Sequence, residues 1–332
     1  MVRVYRTLSE IVPEAGPCAV TIGNFDGVHA GHRRILRRVV DLGQKNNWKP
    51  SALTFHPHPA TVVAPGRAPR LLTTPEQRVR LMAQEDIEQV FVLPFDRKFS
   101  SLAPEQFVDE ILVNRLQARA ILVGENFRFG NKQAGDTRLL RKLGESNGFV
   151  TEIISGVARR GRMVSSSEIR RLIDAGAVST ACRLLERPYS IEGSVVHGHG
   201  IGSKQTVPTL NLDTAAEILP AFGVYITQTE DLDDDRKSPS IRKWPSITNI
   251  GYRPTFDGDR LTIETFLLAP LEGATPERIR VEFLRRVREE RKFASPELLK
   301  AQILRDVERA QSYFRRRRLY LKKPTKSEGV NE

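Results

Sequence analysis

Residues 23–32 read Gly-Asn-Phe-Asp-Gly-Val-His-Ala-Gly-His, a glycine-rich turn that ends in two histidines three residues apart. At that spacing His29 and His32 share one face of a helix's first turn. A glycine-rich turn feeding a helix N-terminus presents backbone N–H groups and the positive end of the helix dipole to an anion. Imidazoles beside a nucleotide's phosphates can stabilise the charge that gathers on a departing pyrophosphate. The pattern therefore predicts nucleotidyl transfer. A turn whose histidines only cap the helix, or a zinc pair, are the alternatives; zinc would need a third ligand, and the sequence offers none at suitable spacing. The six histidines all fall in pairs, at 29/32, 56/58 and 197/199, each in a Gly- or Pro-rich context. His56 and His58, stiffened by Pro57 and Pro59, read as pocket wall rather than catalysts.

A second constellation lies in the other half of the chain, from Gly198 to Leu212. Gly198, Gly200 and Gly202 would let the backbone approach phosphates closely. Thr209 and Asn211 supply neutral oxygens of the kind a magnesium ion accepts while keeping several waters. Glu264 sits in an otherwise apolar strand, where a carboxylate is costly to bury without a purpose. Strand alternation also permits it simply to face outward, so periodicity alone leaves its role open.

These residues need elements to hold them. Cys18–Ile22, Ala52–Phe55, Val90–Leu93, Ala120–Val123 and Thr151–Ile154 are short and nearly all apolar, as strands buried on both faces should be. Helical patterns lie between them, one starting at Thr74–Pro75 and another at Ala103–Pro104. A helix after the first turn carries Ile35, Leu36, Val39 and Val40 on one face and Arg33, Arg34, Arg37 and Arg38 on the other. Strand–helix alternation predicts an α/β doubly wound parallel sheet. Ser165–Ala175 and Val178–Leu185 read as short helices. From Tyr189 the chain reads as β, with strands at Gly223–Thr229, Thr262–Leu268 and Ile279–Arg288, and a small β-barrel is expected. A C-terminal helix follows, with Ser295 as N-cap, Pro296 next, and Leu299, Ile303, Val307, Ala310 and Phe314 along one face. The expected domains are 1–186, 187–320 and a basic, polar tail at 321–332 that reads as disordered, and Asp231–Ser240 reads as an acidic loop.

The 332 residues suggest two domains. No stretch suggests a membrane span or a secretory signal, and two cysteines, Cys18 and Cys182, make no disulfide framework, so a cytoplasmic protein is expected. The net charge of +12 allows nucleic acid, a membrane surface or small anionic substrates. With aromatics at 7% and no aromatic–basic interleaving, nucleic acid is not the expected partner. Small-molecule substrates and a monomer or weak homo-oligomer are.

The first motif resembles that of the nucleotidyltransferases with HxGH, and the chain from 1 to about 315 resembles the bacterial bifunctional riboflavin kinase/FAD synthetases. Leu53–Pro59 (LTFHPHP), Val123–Gly130 (VGENFRFG) and Val164–Arg170 (VSSSEIR) carry that likeness in the first half. In the second half, Pro208-Thr209-Leu210-Asn211, Asn249–Phe256 and Ile263-Glu264-Thr265 carry it. The resemblance implies a nucleotidyltransferase domain and a riboflavin kinase-like barrel. Together they would convert riboflavin, ATP and Mg2+ to FMN and then to FAD.

It places Gly23, Asn24, His29, Gly31 and His32 on the ATP phosphates, and Ser165, Ser166 and Arg170 at a second helix N-terminus that grips the β/γ-phosphates. It puts Asn126, where many relatives have Asp, and Phe127 near the flavin. It makes Glu264 the general base, gives Thr209 and Asn211 the metal, and sets Arg288 against flavin or phosphate. Departures sit in the kinase half: Ile201 and Ser203 stand where relatives have arginines, Thr206 for a glycine and Phe266 for a histidine, while Lys204 restores one positive charge at the phosphate loop. A synthetase with a weak or silent kinase barrel, or a flavin/nucleotide-sensing regulator with a basic nucleic-acid-binding tail, are the competing readings.

Overall fold

A computed structural model describes residues 2–196, 209–233, 242–255, 258–271 and 273–321. The chain divides into two compact units, Met1–Arg170 with Arg183–Glu186, and Arg171–Cys182 with Arg187–Glu332. The acidic loop and the tail expected at 321–332 fall almost wholly outside the described residues, as does the phosphate loop with Gly198, Gly200, Gly202 and Lys204 and the departures at Ile201, Ser203 and Thr206.

The first unit is built on six strands, β1 (Arg3–Tyr5), β2 (Cys18–Ile22), β3 (Lys49–His56), β4 (Gln89–Pro94), β5 (Ala118–Gly124) and β6 (Val150–Ile154), in the order β1-β4-β3-β2-β5-β6. Every neighbouring pair runs parallel. The apolar runs explain the centre of this sheet: β2 is buried at all five positions and β4 at five of six. One expectation needs correction and one strand was missed. Val150–Ile154 is not buried on both faces, because it is an edge strand; Val150 is 58% exposed. The opposite edge, β1, gave no signal because Arg-Val-Tyr is too short to show a period.

Helices α1 (Ala30–Asn46), α2 (Pro59–Val63), α3 (Pro75–Ala83), α4 (Arg97–Ser100), α5 (Pro104–Gln106) and α6 (Thr137–Asn147) join the strands, and Phe107–Arg115 continues α5 with π-type winding. α1 buries Leu36, Val39 and Val40 against the sheet. Three of its arginines are paired: Arg33 and Arg37 with Glu85, and Arg38 with Glu152. A hairpin, β7 (Ala158–Arg159) and β8 (Arg162–Met163), leads to α7 (Ser166–Asp174) and α8 (Val178–Leu185). Because the chain winds outward from β2 through β3 to β4 and then returns to β5 on the other side of β2, the order reverses beside β2. Ligands of open α/β sheets bind at the carboxyl ends of the strands at such a reversal.

The second unit is a barrel of β9 (Tyr189–Val196), β10 (Thr209–Asp213), β11 (Gly223–Asp231), β12 (Lys243–Thr255), β13 (Gly258–Leu267) and β14 (Arg278–Glu289), closed in the order β10-β13-β12-β11-β14-β9 with antiparallel neighbours. Its interior is partly polar. Thr227 Oγ1 lies 2.8 Å from both Ser246 Oγ and Thr248 Oγ1, Thr229 Oγ1 lies 2.8 Å from Ser246 Oγ, and Thr248 Oγ1 lies 3.0 Å from Thr265 Oγ1. All five side chains are fully buried, and the hydroxyls satisfy one another.

The last helix, α9 (Pro296–Leu321), rests on the barrel through Val307, Ala310, Tyr313 and Phe314. The expected stripe starts wrongly, for Leu299 is 41% exposed. Gln302 and Asp306 are buried instead, because Asp306 accepts from Arg288 Nε at 2.7 Å and from Gln302 Nε2 at 2.8 Å. That polar anchor sets which face turns inward.

Thr248→Val should take from the buried Thr265 hydroxyl its bond to Thr248 and from Thr227 one of its two bonds, and lower the barrel's stability by about 1–3 kcal/mol. Urea unfolding followed in the second unit measures it. A change below the measurement error would mean that the hydroxyl chain contributes nothing.

Candidate functional site

The turn after β2 is held in an unusual backbone path. Phe25, Gly27 and Val28 have φ of 49°, 81° and 37°, and a Cβ on Gly27 would stand 2.8 Å from Leu72 Cδ1. Left-handed φ at Phe25 and Val28 is costly for ordinary residues and persists only where the surroundings impose it. Both side chains are 1% exposed, so burial supplies part of the hold.

Hydrogen bonds supply the rest, through the carboxylate of Asp26. It is 2% exposed and accepts from the N–H of Leu72 at 2.9 Å, the N–H and hydroxyl of Thr73 at 3.1 Å each, and Arg170 Nη2 at 2.6 Å. Thr73 Oγ1 in turn accepts from Gly27 N–H at 3.0 Å. Asp26 lay inside the motif but drew no role from the sequence; its partners come from residues 72, 73 and 170, which no local pattern links to it. Arg78, read only as part of a helix, was missed likewise. It is 1% exposed and donates from Nη1 to the carbonyl of Asn24 at 2.9 Å.

His29 is the N-cap of α1, its Nδ1 accepting from the N–H of His32 at 3.3 Å. A ring nitrogen that accepts carries no proton, so His29 donates only from Nε2. The two imidazoles stack at 3.7 Å between centroids, tilted by 12°, and Phe25 closes the edge of His32 at 5.2 Å. Gly31 lies close to them: a Cβ there would come 3.2 Å from His29 Cε1, tight enough that the imidazole would have to give by a few tenths of an ångström. A Cβ on Gly23 would only touch the Phe25 ring at 3.4 Å.

Asn24 is tied to the loop after β3. Its amide lies 3.0 Å from His58 Nε2, and His58 Nδ1 accepts from Ala60 N–H at 3.2 Å. The atom of Asn24 at that distance is Nδ2; with Nδ1 accepting, a neutral His58 carries its proton on Nε2, so the two bond only if the Asn24 amide is turned over. His58, expected to be pocket wall, thus also abuts Asn24.

Ser165 and Ser166 divide the work at the start of α7. Ser165 Oγ accepts from Glu168 N–H at 3.2 Å, which is a plain cap, and Ser166 Oγ donates to the carbonyl of Asp26 at 2.8 Å. Arg170 has two of its donors on Asp26 and on the carbonyl of Arg70, the latter at 2.8 Å from Nε. Asn126 is exposed just past β5, next to β2 in the sheet, and Phe127 stacks on Phe129 at 5.5 Å. The turn at 23–32, Asn126 and His58 thus stand at the carboxyl ends of three neighbouring strands.

In the barrel, Glu264 pairs across the ladder with Asn211 on one side and Asn249 on the other. Directly opposed residues on antiparallel strands sit about 5 Å apart at Cβ and share a face. Ile263, Thr265 and Leu267 point into the barrel and are buried, so Glu264 faces outward and is half-buried. Thr209, exposed and two residues from Asn211, shares that outer face. The face is polar there and apolar farther along, where Phe266 joins the cluster under α9. Arg288 is held by Asp306 and lies 5.6 Å over the ring of Phe293.

Comparison with known proteins follows the same division. The FAD synthetase family model matches residues 12–168 and the riboflavin kinase family model residues 185–314. Proteins described as bifunctional riboflavin kinase/FMN adenylyltransferase are similar over nearly the whole chain. That of Escherichia coli K12 is 34% identical over 95% of this chain and 97% of its own. That of Pseudomonas fluorescens is 35% identical over 93% and 97%. A crystal structure described as a macrolide-efflux protein from Streptococcus pneumoniae superposes with a TM-score of 0.80 at 25% identity, covering 93% of this chain and 98% of that one. Among the described residues here, no helix is long and apolar enough to cross a membrane.

Asp26→Asn keeps the shape of the side chain but puts an NH2 against donors and leaves Arg170 facing no charge. Breaking a buried pair in this way should cost about 3–5 kcal/mol in the first unit's unfolding. A loss under ~1 kcal/mol in a urea titration would show that Asp26 does not hold the turn.

Proposed function

The chain belongs to the bifunctional riboflavin kinase/FMN adenylyltransferase family, and on that premise we propose how its own residues divide the two reactions. It phosphorylates riboflavin to FMN and adenylylates FMN to FAD. Residues 1–186 would carry the adenylyl transfer, 187–320 the phosphorylation, and 321–332 a tail.

In adenylyl transfer an FMN phosphate oxygen attacks the α-phosphorus of ATP, and the bond to the β-phosphate breaks as pyrophosphate leaves with the electron pair. The nucleophile is already an anion, so no base is required. The observation that carries the assignment is the stacked His29–His32 pair at the N-terminus of α1, beside the order reversal of the sheet. There His29 Nε2, His32, the Asn24 amide and the first N–H groups of α1 would stabilise the leaving charge. Gly23 and Gly31 leave room for the phosphates, Ser165, Ser166 and Arg170 would close on the β/γ end, and Asn126 and Phe127 on the flavin.

In the kinase step the ribityl hydroxyl attacks the γ-phosphorus of ATP, its proton passing to Glu264 as ADP leaves. Thr209 and Asn211 would hold Mg2+, and the donor set fits: both offer neutral side-chain oxygens on the outer face, Asn211 directly opposite Glu264 and Thr209 two residues away, opposite Phe266. The ion would neutralise phosphate charge. Gly198, Gly200, Gly202 and Lys204 would cradle the phosphates, and Arg288 would act through Asp306 and the last helix rather than touch ligand. Phe266, packed under α9, and the changes at 201, 203 and 206 point to a slow kinase.

Two substitutions separate the activities. His32→Ala should lower FAD formation from FMN by roughly 10²–10³-fold and leave riboflavin phosphorylation unchanged. Glu264→Gln should lower riboflavin phosphorylation by ~10²-fold, near the lower end for a general base, and leave FAD formation from supplied FMN intact. Chromatography of the three flavins reads both. If either variant, still folded, lost the two activities equally, the division of labour would be wrong.

A further inference from the structure

A cavity of about 450 Å³ opens in the second unit between β14 and α9. Four arginines line it, Arg285 and Arg286 from the strand and Arg309 and Arg316 from the helix. On α9, positions 309, 312, 313 and 316 follow at intervals of three and four, so they share one face, which borders the contact with the barrel. On β14, consecutive residues should point to opposite faces. The ladder with β11 slips on either side of this pair, between Val224 and Tyr225 and between Ile226 and Thr227, and both arginines reach one cavity. Breaks in register of this kind re-aim side chains.

The fold does not account for this charge. Where arginines serve the architecture of the unit they are paired: Arg242 with Asp231, Arg280 with Glu192 and Glu230, Arg288 with Asp306. Around the cavity, among the described residues, Glu308 is the one carboxylate, and neither Arg285 nor Arg309 forms an ion pair. The negative end of the helix dipole favours Arg316 toward the C-terminus of α9, but it gives no reason for Arg285 and Arg286 on a strand. Two of the four are held in advance. Arg286 donates from Nη2 to the carbonyl of Phe222 at 2.7 Å, and Arg316 from Nε to the carbonyl of Ser312 at 3.2 Å. Arg286 Nη1 also lies 3.7 Å from the exposed carboxylate of Glu289, a pairing of little strength in water. Each guanidinium keeps further donors for a ligand.

Four positive charges against one negative call for a ligand with at least two negative charges, and guanidinium forks match phosphate oxygens. The rest of the wall is uncharged. Ile226 and Val287 are apolar and Tyr313 offers a ring, a surface for a planar base. A cavity of this volume holds one small ligand, whereas nucleic acid needs a far wider surface. We propose that the cavity binds a nucleoside diphosphate group, its phosphates on the arginines and its base against Tyr313. ATP, ADP and FAD all carry that group. The walls come from β11, β14 and α9, whereas the kinase row lies on β10, β12 and β13, so this is a second site in the unit.

Hydrogen exchange read by mass spectrometry on the full chain locates the binding. EDTA is present throughout, to withhold the Mg2+ that would bring nucleotide to the kinase row. Saturating ADP should slow exchange across 308–316 by roughly tenfold, and AMP should need about tenfold more ligand for the same protection. FAD distinguishes the sources: protection by FAD as well as ADP means that the dinucleotide product also fits, and protection by ADP alone assigns the site to the mononucleotides. Either result supports the proposal. Replacing the exposed Arg285 and Arg309 together by alanine should weaken ADP roughly tenfold for each guanidinium removed. FAD formation from FMN, a reaction of the other unit, should keep its wild-type rate in that variant and shows that the chain is folded. Tyr313→Leu should weaken ADP and leave pyrophosphate unchanged. The proposal is overturned if millimolar ADP gives no protection at 308–316, or if the double variant is protected as well as wild type. Equal protection by sulfate at the same ionic strength also overturns it, for the cavity would then hold an adventitious ion only.

Discussion

The carboxylate of Asp26 receives four donors from three residues at two distant places in the sequence, and the geometry of the first unit's turn depends on that convergence. Its position inside the turn forces the loop at 72–73 and the start of α7 to meet beside β2. Without it, the left-handed residues Phe25 and Val28 would have little to oppose their relaxation into ordinary backbone. Arg170, drawn to Asp26, brings the N-terminus of α7 with its serines to the same place. One buried ion pair thus brings the N-termini of α1 and α7 together beside the carboxyl end of β2, the edge proposed above to take ATP. Such a pair contributes little net stability, since desolvation offsets most of its attraction. Its value is in specifying one arrangement.

How much of this could be read from the chain depended on whether the signal was local. The strands β2 to β5 are apolar runs bounded by turns, and the barrel strands alternate, so the layer architecture was legible. So was the first turn, because glycine and histidine spacing within ten residues encodes both the bend and the cap. Leu299 misled because a hydrophobic stripe takes no account of Asp306, whose bond to Arg288 on another strand turns the helix. Asp26 and Arg78 were invisible for the same reason. A buried charge is recognised by its partner, and the partners lie tens of residues away.

The barrel shows the same limit from the other side. Alternation could not decide whether Glu264 faced inward with a purpose or outward by default. It faces outward, and the register gives the outward position meaning: Asn211 and Asn249 flank it on adjacent strands, and Thr209 stands two residues from Asn211. The barrel interior meanwhile holds a chain of threonine and serine hydroxyls bonded to one another. The kinase row proposed above lies on the outer wall, where its side chains are half-buried or exposed.

The two reactions differ in what the nucleophile needs, and the two sites differ accordingly. A ribityl hydroxyl is neutral and must lose a proton, so the kinase row needs a carboxylate, the part proposed above for Glu264. An FMN phosphate is already charged, and a carboxylate open to it would repel both it and the triphosphate. The first site does contain a carboxylate, but Asp26 is 2% exposed, saturated by four donors and paired with Arg170, so neither its charge nor its lone pairs face outward. What the turn presents instead is donors: His29 from Nε2, the Asn24 amide and the first N–H groups of α1. A neutral-nucleophile site built around a free base and an anionic-nucleophile site built around donors cannot be merged without each harming the other. That incompatibility is a physical reason for two sites on two compact units within one chain.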